Sequence, residues 1–239
     1  DQDHTPVLLP GDEPERYPIN LYHHVAAGAE VEGCDVLEVG CGRGGGSSYI
    51  ARYLKPRRVV GVDVSQNVID FCRKVHRADN LEYRHGDAEA LPFPDSSFDV
   101  VVNVESSLCY GNIDVFFAEV ARVLRPDGRL LLADLRLADE VARLDAAVDR
   151  SSLRLISRRD ITDNVVEALA RDSDRRSKAS QDGVPRPFRK WFDIFSGVEG
   201  TRIPVHLRSR QMIYLSYRLK KPKPADAAKG ADLESTARL

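Results

Sequence analysis

The stretch that most restricts this chain is Val36-Leu-Glu-Val-Gly-Cys-Gly-Arg-Gly-Gly-Gly46, four residues suited to a buried strand followed by a glycine-rich turn. The turn runs into Ser47 to Leu54, which reads as a helix. Glycine lets a ligand approach the backbone, and a helix N-terminus offers unpaired N–H donors. A strand that empties through glycines into a helix is therefore a nucleotide-binding turn. The turn alone leaves the nucleotide open. Gly40, Gly42 and Gly45 satisfy the dinucleotide spacing G-x-G-x-x-G, while Glu38, Gly40, Gly42 and Gly44 satisfy E-x-G-x-G-x-G, the spacing of proteins that bind S-adenosylmethionine (SAM).

The flanking sequence alternates between the two hydrophobic periods. Ile19 to Ala29 reads as a helix, Arg58 to Asp63 as a strand, Ser65 to His76 as a helix, and Leu81 to Asp87 and Phe98 to Glu105 as strands. Asp114 to Leu124 is an amphipathic helix stopped by Arg125-Pro-Asp-Gly128, and Arg129 to Asp134 is a fifth strand. Such alternation predicts an α/β fold with a mainly parallel sheet, helices on both faces and ligands at the C-terminal ends of the strands. Asp63, 19 residues beyond Gly44, is placed to meet ribose hydroxyls. Farther on, Leu153 to Ser157 reads as a strand, Asp160 to Arg171 as a helix, and Asp172 to Lys178 as a solvated charged stretch. In Pro187 to Ser196 an apolar helix face repeats at Phe188, Trp191, Phe192 and Phe195, and Gln211 to Lys220 alternates as an edge strand. The division expected is an acidic, proline-containing arm over 1–16, one domain over 17–220 with a helical cap at about 172–200, and a tail over 221–239.

Composition narrows the class. At 239 residues the chain suits one sizeable α/β domain. It has no apolar run near the roughly 20 residues that span a bilayer and no signal segment, so a cytoplasmic protein is the simplest expectation. Cys34, Cys41, Cys72 and Cys109 form no C-x-x-C pair and no zinc or disulfide spacing, so no metal site is expected. The net charge of −2 hides an asymmetry: Asp1 to Asp149 holds 15 Lys+Arg against 26 Asp+Glu, and Arg150 to Lys221 holds 17 against 8. The two parts attract each other within a subunit or in a homo-oligomer, or the basic part meets an anionic partner. Asp1 in place of Met leaves room for an upstream segment.

The motifs taken together resemble the class I SAM-dependent methyltransferases of small molecules. The resemblance runs from about Tyr17 to Lys220. It rests on Glu38-Val-Gly-Cys-Gly-Arg-Gly, Asp63, Gly86-Asp-Ala-Glu-Ala-Leu-Pro-Phe93, Ser97-Phe-Asp-Val-Val-Val102 and Arg122-Val-Leu-Arg-Pro-Asp-Gly128. Asn20-Leu-Tyr-His23, Gly44-Gly-Gly-Ser-Ser-Tyr49 and Asn103-Val-Glu-Ser-Ser-Leu-Cys-Tyr110 look most like the phthiotriolone and phenolphthiotriolone dimethylcocerosates methyltransferases, which methylate a hydroxyl on long lipids. The resemblance implies a Rossmann-like fold with a seven-stranded sheet. It also implies SAM as cofactor, S-adenosylhomocysteine as product and a hydrophobic natural product or lipid as acceptor.

By that resemblance Glu38 orients the methionine amino group, and Gly40, Cys41, Gly42 and Gly44 let the methionyl part lie along the backbone. Asp63 accepts from the ribose hydroxyls, Val64 beside it also contacts the cofactor, Asp87 with the backbone N–H of Ala88 reads the adenine edge, and Asn103 lines the methionine with its backbone. The resemblance also exposes a departure. Many of these enzymes carry a histidine after the fourth strand, where this chain has Leu108. Leucine takes no proton, so either a base comes from His23, His24, Glu105 or His206, or the acceptor needs none. An electron-rich isoprenoid double bond is an acceptor of the second kind, methylated at carbon through a cation that aromatic faces stabilise. Tyr22, Leu108, Tyr110, Phe188, Trp191 and Phe192 are the expected acceptor wall.

Two other readings share the turn. A nicotinamide-dependent oxidoreductase accounts for the acid at the second strand, but not for Gly86-Asp-Ala or Arg125-Pro-Asp-Gly. An RNA methyltransferase would use the basic segment as a phosphate track and show steep salt dependence. The chain has neither an RNA module nor an Asn-Pro-Pro motif, so no nucleic-acid partner is expected.

Overall fold

The first strand, β1 (Asp35–Val39), is buried along its whole length, as a strand with neighbours on both edges and helices over both faces must be. In this computed structural model, which describes residues 5–26, 29–183 and 201–223, β1 pairs in parallel with β2 (Arg58–Asp63) and β4 (Phe98–Val104). Beyond β2 lies β3 (Leu81–His85), and beyond β4 lies β5 (Leu124–Leu137), both parallel. Two antiparallel strands complete the sheet, β7 (Met212–Lys220) against β5 and β6 (Arg154–Asp160) against β7. The order is β3-β2-β1-β4-β5-β7-β6, seven strands. Because successive connections from β1 and β4 leave in opposite directions, the crevice at their C-terminal tips is the topological switch point where α/β sheets take their ligands.

Side chains alternate across the pleat, and each face finds its own helices. Val36, Val100, Val102, Leu131 and Tyr214 point to α1 (Arg16–Ala26), α2 (Gly45–Tyr53), α6 (Thr162–Gly183) and α7 (Arg202–Arg208). Leu37, Val39, Val101, Leu130 and Leu132 point to α4 (Ile113–Val123) and α5 (Val141–Arg150). A smaller cluster of Cys41, Ile69, Cys72 and Tyr83 seats α3 (Gln66–Val75) beside the glycine turn.

Several expectations need correction. The strand at 212–220 is not an edge: it lies between β5 and β6, and β6 takes the outer position. With neighbours on both edges and helices over both faces, Tyr214, Leu215, Ser216, Tyr217 and Leu219 are buried. The sixth helix continues from Thr162 to Gly183 instead of ending at Arg171. The charged stretch that follows Arg171 is not uniformly solvated, because Asp172 is buried and accepts from Arg175 Nε at 2.6 Å. The helix α4 ends at Val123, just before Arg125-Pro-Asp-Gly128, and the pairing of β5 with β4 shifts register between Leu124 and Arg129 across those residues. The N-terminal arm docks: Pro10–Glu15 forms a 3-10 turn, and Asp12 accepts from Arg52 Nη1 at 2.7 Å. The expected helix over 187–196 and the tail from 224 onward fall outside the described residues.

Candidate functional site

Parity along β1 decides where the site's buried acid points. Val36 and Glu38 share one face, so the Glu38 side chain is directed toward α1 and α2 and is fully buried. Its Oε1 accepts from the Tyr22 hydroxyl of α1 at 2.7 Å, and its Oε2 accepts from the Ser47 hydroxyl of α2. Burial pushes the Glu38 carboxyl up to about 7 despite those two hydrogen bonds. It is thus an acid held near its titration point with both oxygens bound.

The turn after β1 bends over the tip of β2. Gly40 and Cys41 both donate their N–H to Val62 O, at 2.8 and 2.9 Å. Gly40 has φ +71°, and a Cβ there would overlap Ser106, so only glycine fits. Gly42 has φ +48° with nothing within 4 Å of where a Cβ would stand, so its backbone is open to an incoming molecule. Gly44, in the left-handed conformation, caps α2. Cys41 is packed inside the turn, and burial raises its thiol pKa far above the usual range, which leaves it an inert group.

Next to the turn, Asp63 ends β2, its Oδ2 accepting from Gly42 N at 3.0 Å and its Oδ1 from Ser65 N at 2.9 Å. Each oxygen keeps a second lone pair for a ligand hydroxyl. Val64 beside it is 68% exposed and offers an apolar patch. Asp87 lies beyond β3, exposed, with Oδ1 accepting from Glu89 N at 2.9 Å, and Ala88 is buried behind it. From β4, Asn103 is fully buried. Its Nδ2 donates to Val39 O at 3.0 Å and to Tyr110 Oη at 2.7 Å. Its Oδ1 has no partner among the described residues, an orphaned acceptor of the sort that a bound molecule satisfies. These features fit a ligand with a nucleoside end and a charged amino-acid end. Among the described residues no group of His, Cys, Asp and Glu could hold a metal ion.

The other expected residues separate. Tyr22 and Tyr110 belong to the turn: Tyr22 binds Glu38, and Tyr110 joins Asn103 and Ser106. Leu108 stands on a 3-10 turn at the crevice, 48% exposed. Glu105 follows β4 with φ +52° and its N–H on Ala133 O at 2.9 Å, so it is at the crevice too. Its charge reaches the phenols of Tyr22 and Tyr214. The histidines stand on α1 and α7. His23 Nδ1 lies 2.6 Å from the Tyr49 hydroxyl, His24 lines a cavity on the outer side of α1, and His206 is on α7. Phe188, Trp191 and Phe192 fall outside the described residues.

Sequence reasoning missed the support under Leu108. Asp134 Oδ2 accepts from Ser107 Oγ at 2.6 Å and Leu108 N at 3.0 Å, and is bridged by Arg136 Nη1 at 3.0 Å. Arg136 Nη2 closes the ring on Ser107 Oγ at 2.7 Å. Both charged residues are buried. A charged pair two residues apart in a strand was the only available signal.

Known proteins match this arrangement. A family model described as a methyltransferase domain matches residues 37–132. The phthiotriol/phenolphthiotriol dimycocerosates methyltransferase of Mycobacterium tuberculosis is 41% identical over 219 residues, covering 90% of this chain and 81% of that one. The fatty-acid O-methyltransferase of Mycolicibacterium smegmatis is 41% identical over 215 residues, covering 90% and 78%. Among solved structures, the cyclopropane synthase MmaA2 from Mycobacterium tuberculosis superposes with a TM-score of 0.69 at 17% identity, covering 87% of this chain and 85% of that one. That last likeness concerns the fold.

Proposed function

The chain belongs to the methyltransferase family that includes the phthiotriol/phenolphthiotriol dimycocerosates methyltransferases, and from that membership we propose that it transfers the methyl group of SAM to an oxygen on a long, largely apolar molecule. The observation that carries the reading is the donor wall: buried Glu38 held by Tyr22 and Ser47 beside the open backbone of Gly42, with Asp63 at the neighbouring tip. The two relatives' names, a phthiotriol/phenolphthiotriol dimycocerosates methyltransferase and a fatty-acid O-methyltransferase, support an oily acceptor, and the second supports one that attacks the methyl through oxygen.

SAM supplies an activated methyl on a sulfonium, so the protein's work is mainly positioning and exclusion of water. Glu38 takes the donor's ammonium and in doing so is drawn to its charged form. Asp63 accepts from the ribose hydroxyls, Val64 gives the adenine an apolar neighbour, and Asp87 with Ala88 reads its edge. Asn103 Oδ1 gains the partner it lacks. On the acceptor side Leu108 displaces water from the crevice, while Glu105 brings a carboxylate to the β4 tip to take a hydroxyl proton.

The test is incubation with SAM and a panel of fatty acids, long-chain alcohols and isoprenoids, followed by mass spectrometry. Gain of one CH2 on an oxygen-bearing lipid is the expected result. Exclusive methylation of a double bond would replace oxygen by carbon. Binding of NAD without binding of SAM would end the reading.

A further inference from the structure

Helix α1 has two working sides. Tyr22 points to Glu38, whereas Tyr17, Leu21 and His24, at i, i+4 and i+7, line a cavity of about 850 Å³ between α1 and the first turns of α6. Ile161, Val165 and Ala168 give that cavity an apolar wall, and Arg159 of β6 and Arg218 of β7 lie at its base. Register fixes their arrangement. Ser157 is opposite Arg218 and Arg159 is opposite Ser216, so the two arginines are diagonal neighbours on the same face of the sheet. Arg158, one residue along, faces the other way, over Tyr217 and onto Asp145.

The basic stretch from 150 to 221 carries 17 Lys+Arg against 8 Asp+Glu, and the methyl-transfer site makes no use of this excess. Much of it is neutralised locally: Arg150 by Asp114, Arg171 by Glu167, Arg175 by Asp172, and Arg210 by Asp160 and Asp163. The two acids in the cavity, Asp160 and Glu167, are both committed to those pairs. The Arg159 guanidinium has no counter-ion among the described residues, and it stands beside the partly desolvated Arg218, whose pKa burial and then Arg159 hold below the usual arginine range. Arg218 Nη2 also donates to His24 O at 3.4 Å, and two neighbouring guanidinia at the side of a half-open cavity with an apolar wall complement one chemistry. The geometry points to a second binding site, between α1 and α6, for an amphiphilic organic anion whose carboxylate sits on Arg159 and Arg218 and whose chain lies along Leu21, Ile161 and Val165.

The site does not depend on the nature of the methyl acceptor, and its test is direct binding. The full chain is titrated calorimetrically with sodium octanoate, with 1-octanol and with inorganic phosphate, and the octanoate titration is repeated on Arg159→Gln. Arg159 is exposed on an outer strand, so the variant keeps the fold, which circular dichroism verifies. Octanoate is expected to bind one to one, at least ten-fold tighter than either octanol or phosphate, and to lose at least ten-fold in Arg159→Gln. Equal binding of octanol would remove the charge from the proposal, and equal binding of phosphate would remove the chain. Octanoate bound as well by Arg159→Gln as by the parent would overturn the site altogether.

Discussion

The Tyr22 hydroxyl donates to Glu38 Oε1 at 2.7 Å, and the same ring lies against Gly46 so closely that a Cβ there would overlap it. One tyrosine thus fixes α1 over the glycine turn and holds the buried acid. Tyr22→Phe keeps the ring and removes one hydrogen bond to a charged group, worth about 1.5–3 kcal/mol. SAM affinity is expected to fall by about ten-fold or more with the fold intact, as measured by titration and thermal unfolding. Gly46→Ala is expected to do more harm, because the whole of α1 must move.

Glu38 itself makes a prediction about pH. Burial raises its carboxyl from the ordinary glutamate range to about 7. A raised carboxyl favours folding below its unfolded value and loses that contribution as pH climbs through 7, since the native state must then carry a buried charge. The empty protein is therefore expected to be more stable near pH 5 than near pH 8 with respect to this group. Glu38→Gln is expected to recover about 1–3 kcal/mol at pH 8, one pKa unit being about 1.4 kcal/mol. SAM binding runs in the opposite sense: its ammonium prefers the ionised acid, so affinity rises from pH 6 to 8 in the parent and is flat and weak in Glu38→Gln. Chemical denaturation and titration at three pH values check both halves.

These residues show how far a sequence carries. Glu38, the glycines and Asp63 are legible because a nucleotide-binding turn constrains spacing as well as composition. Other motifs that carried the family resemblance prove to be structural. Arg125 bridges Asp35 and Asp99 at the opposite end of the sheet, at 2.9 and 2.8 Å. Arg122 ties Leu91 O and Phe93 O to α4 and so holds the segment after Asp87. The placement of β7 was misread because alternation of period two reports a strand, not its neighbours, and β6 supplied an edge of mostly exposed residues. The histidines are candidate bases on side-chain chemistry alone. Only tertiary packing could show that His23 meets Tyr49 and that His24 faces away from the donor wall.

The pair under Leu108 makes a stability prediction. Arg136→Met leaves the Asp134 carboxylate buried without its cation, a change that costs about 3–5 kcal/mol. Asp134→Asn with Arg136→Met removes both charges and is expected to recover most of that loss, as read from denaturation midpoints. Because the pair sets the turn that presents Leu108, the double variant is expected to raise KM for the acceptor while SAM affinity stays within two-fold. A KM unchanged in a folded double variant would reduce the pair to packing.

Glu105 carries the final prediction. It is a glutamate in the left-handed region, φ +52°, directly after the strand that ends beside the donor wall. Such a conformation costs a non-glycine residue about 1–3 kcal/mol and persists where the surrounding structure or function demands it. Here the strained residue brings a carboxylate to the crevice where Leu108 has displaced the expected histidine. If the acceptor is a hydroxyl, Glu105 takes its proton, and Glu105→Gln is expected to lower turnover about 10²–10⁴-fold with KM little changed. If the acceptor is already a carboxylate, no proton need leave, and the same variant should turn over within a few-fold of the parent. Glu105→Gly separates strain from chemistry: relief of the left-handed backbone, about 1–2 kcal/mol, less glycine's extra entropy in the unfolded chain, is expected to leave the variant at least as stable as the parent, while activity on a hydroxyl falls as it does in Glu105→Gln. A hydroxyl substrate methylated at full rate by both variants would remove Glu105 from the reaction and require the proton to leave to water.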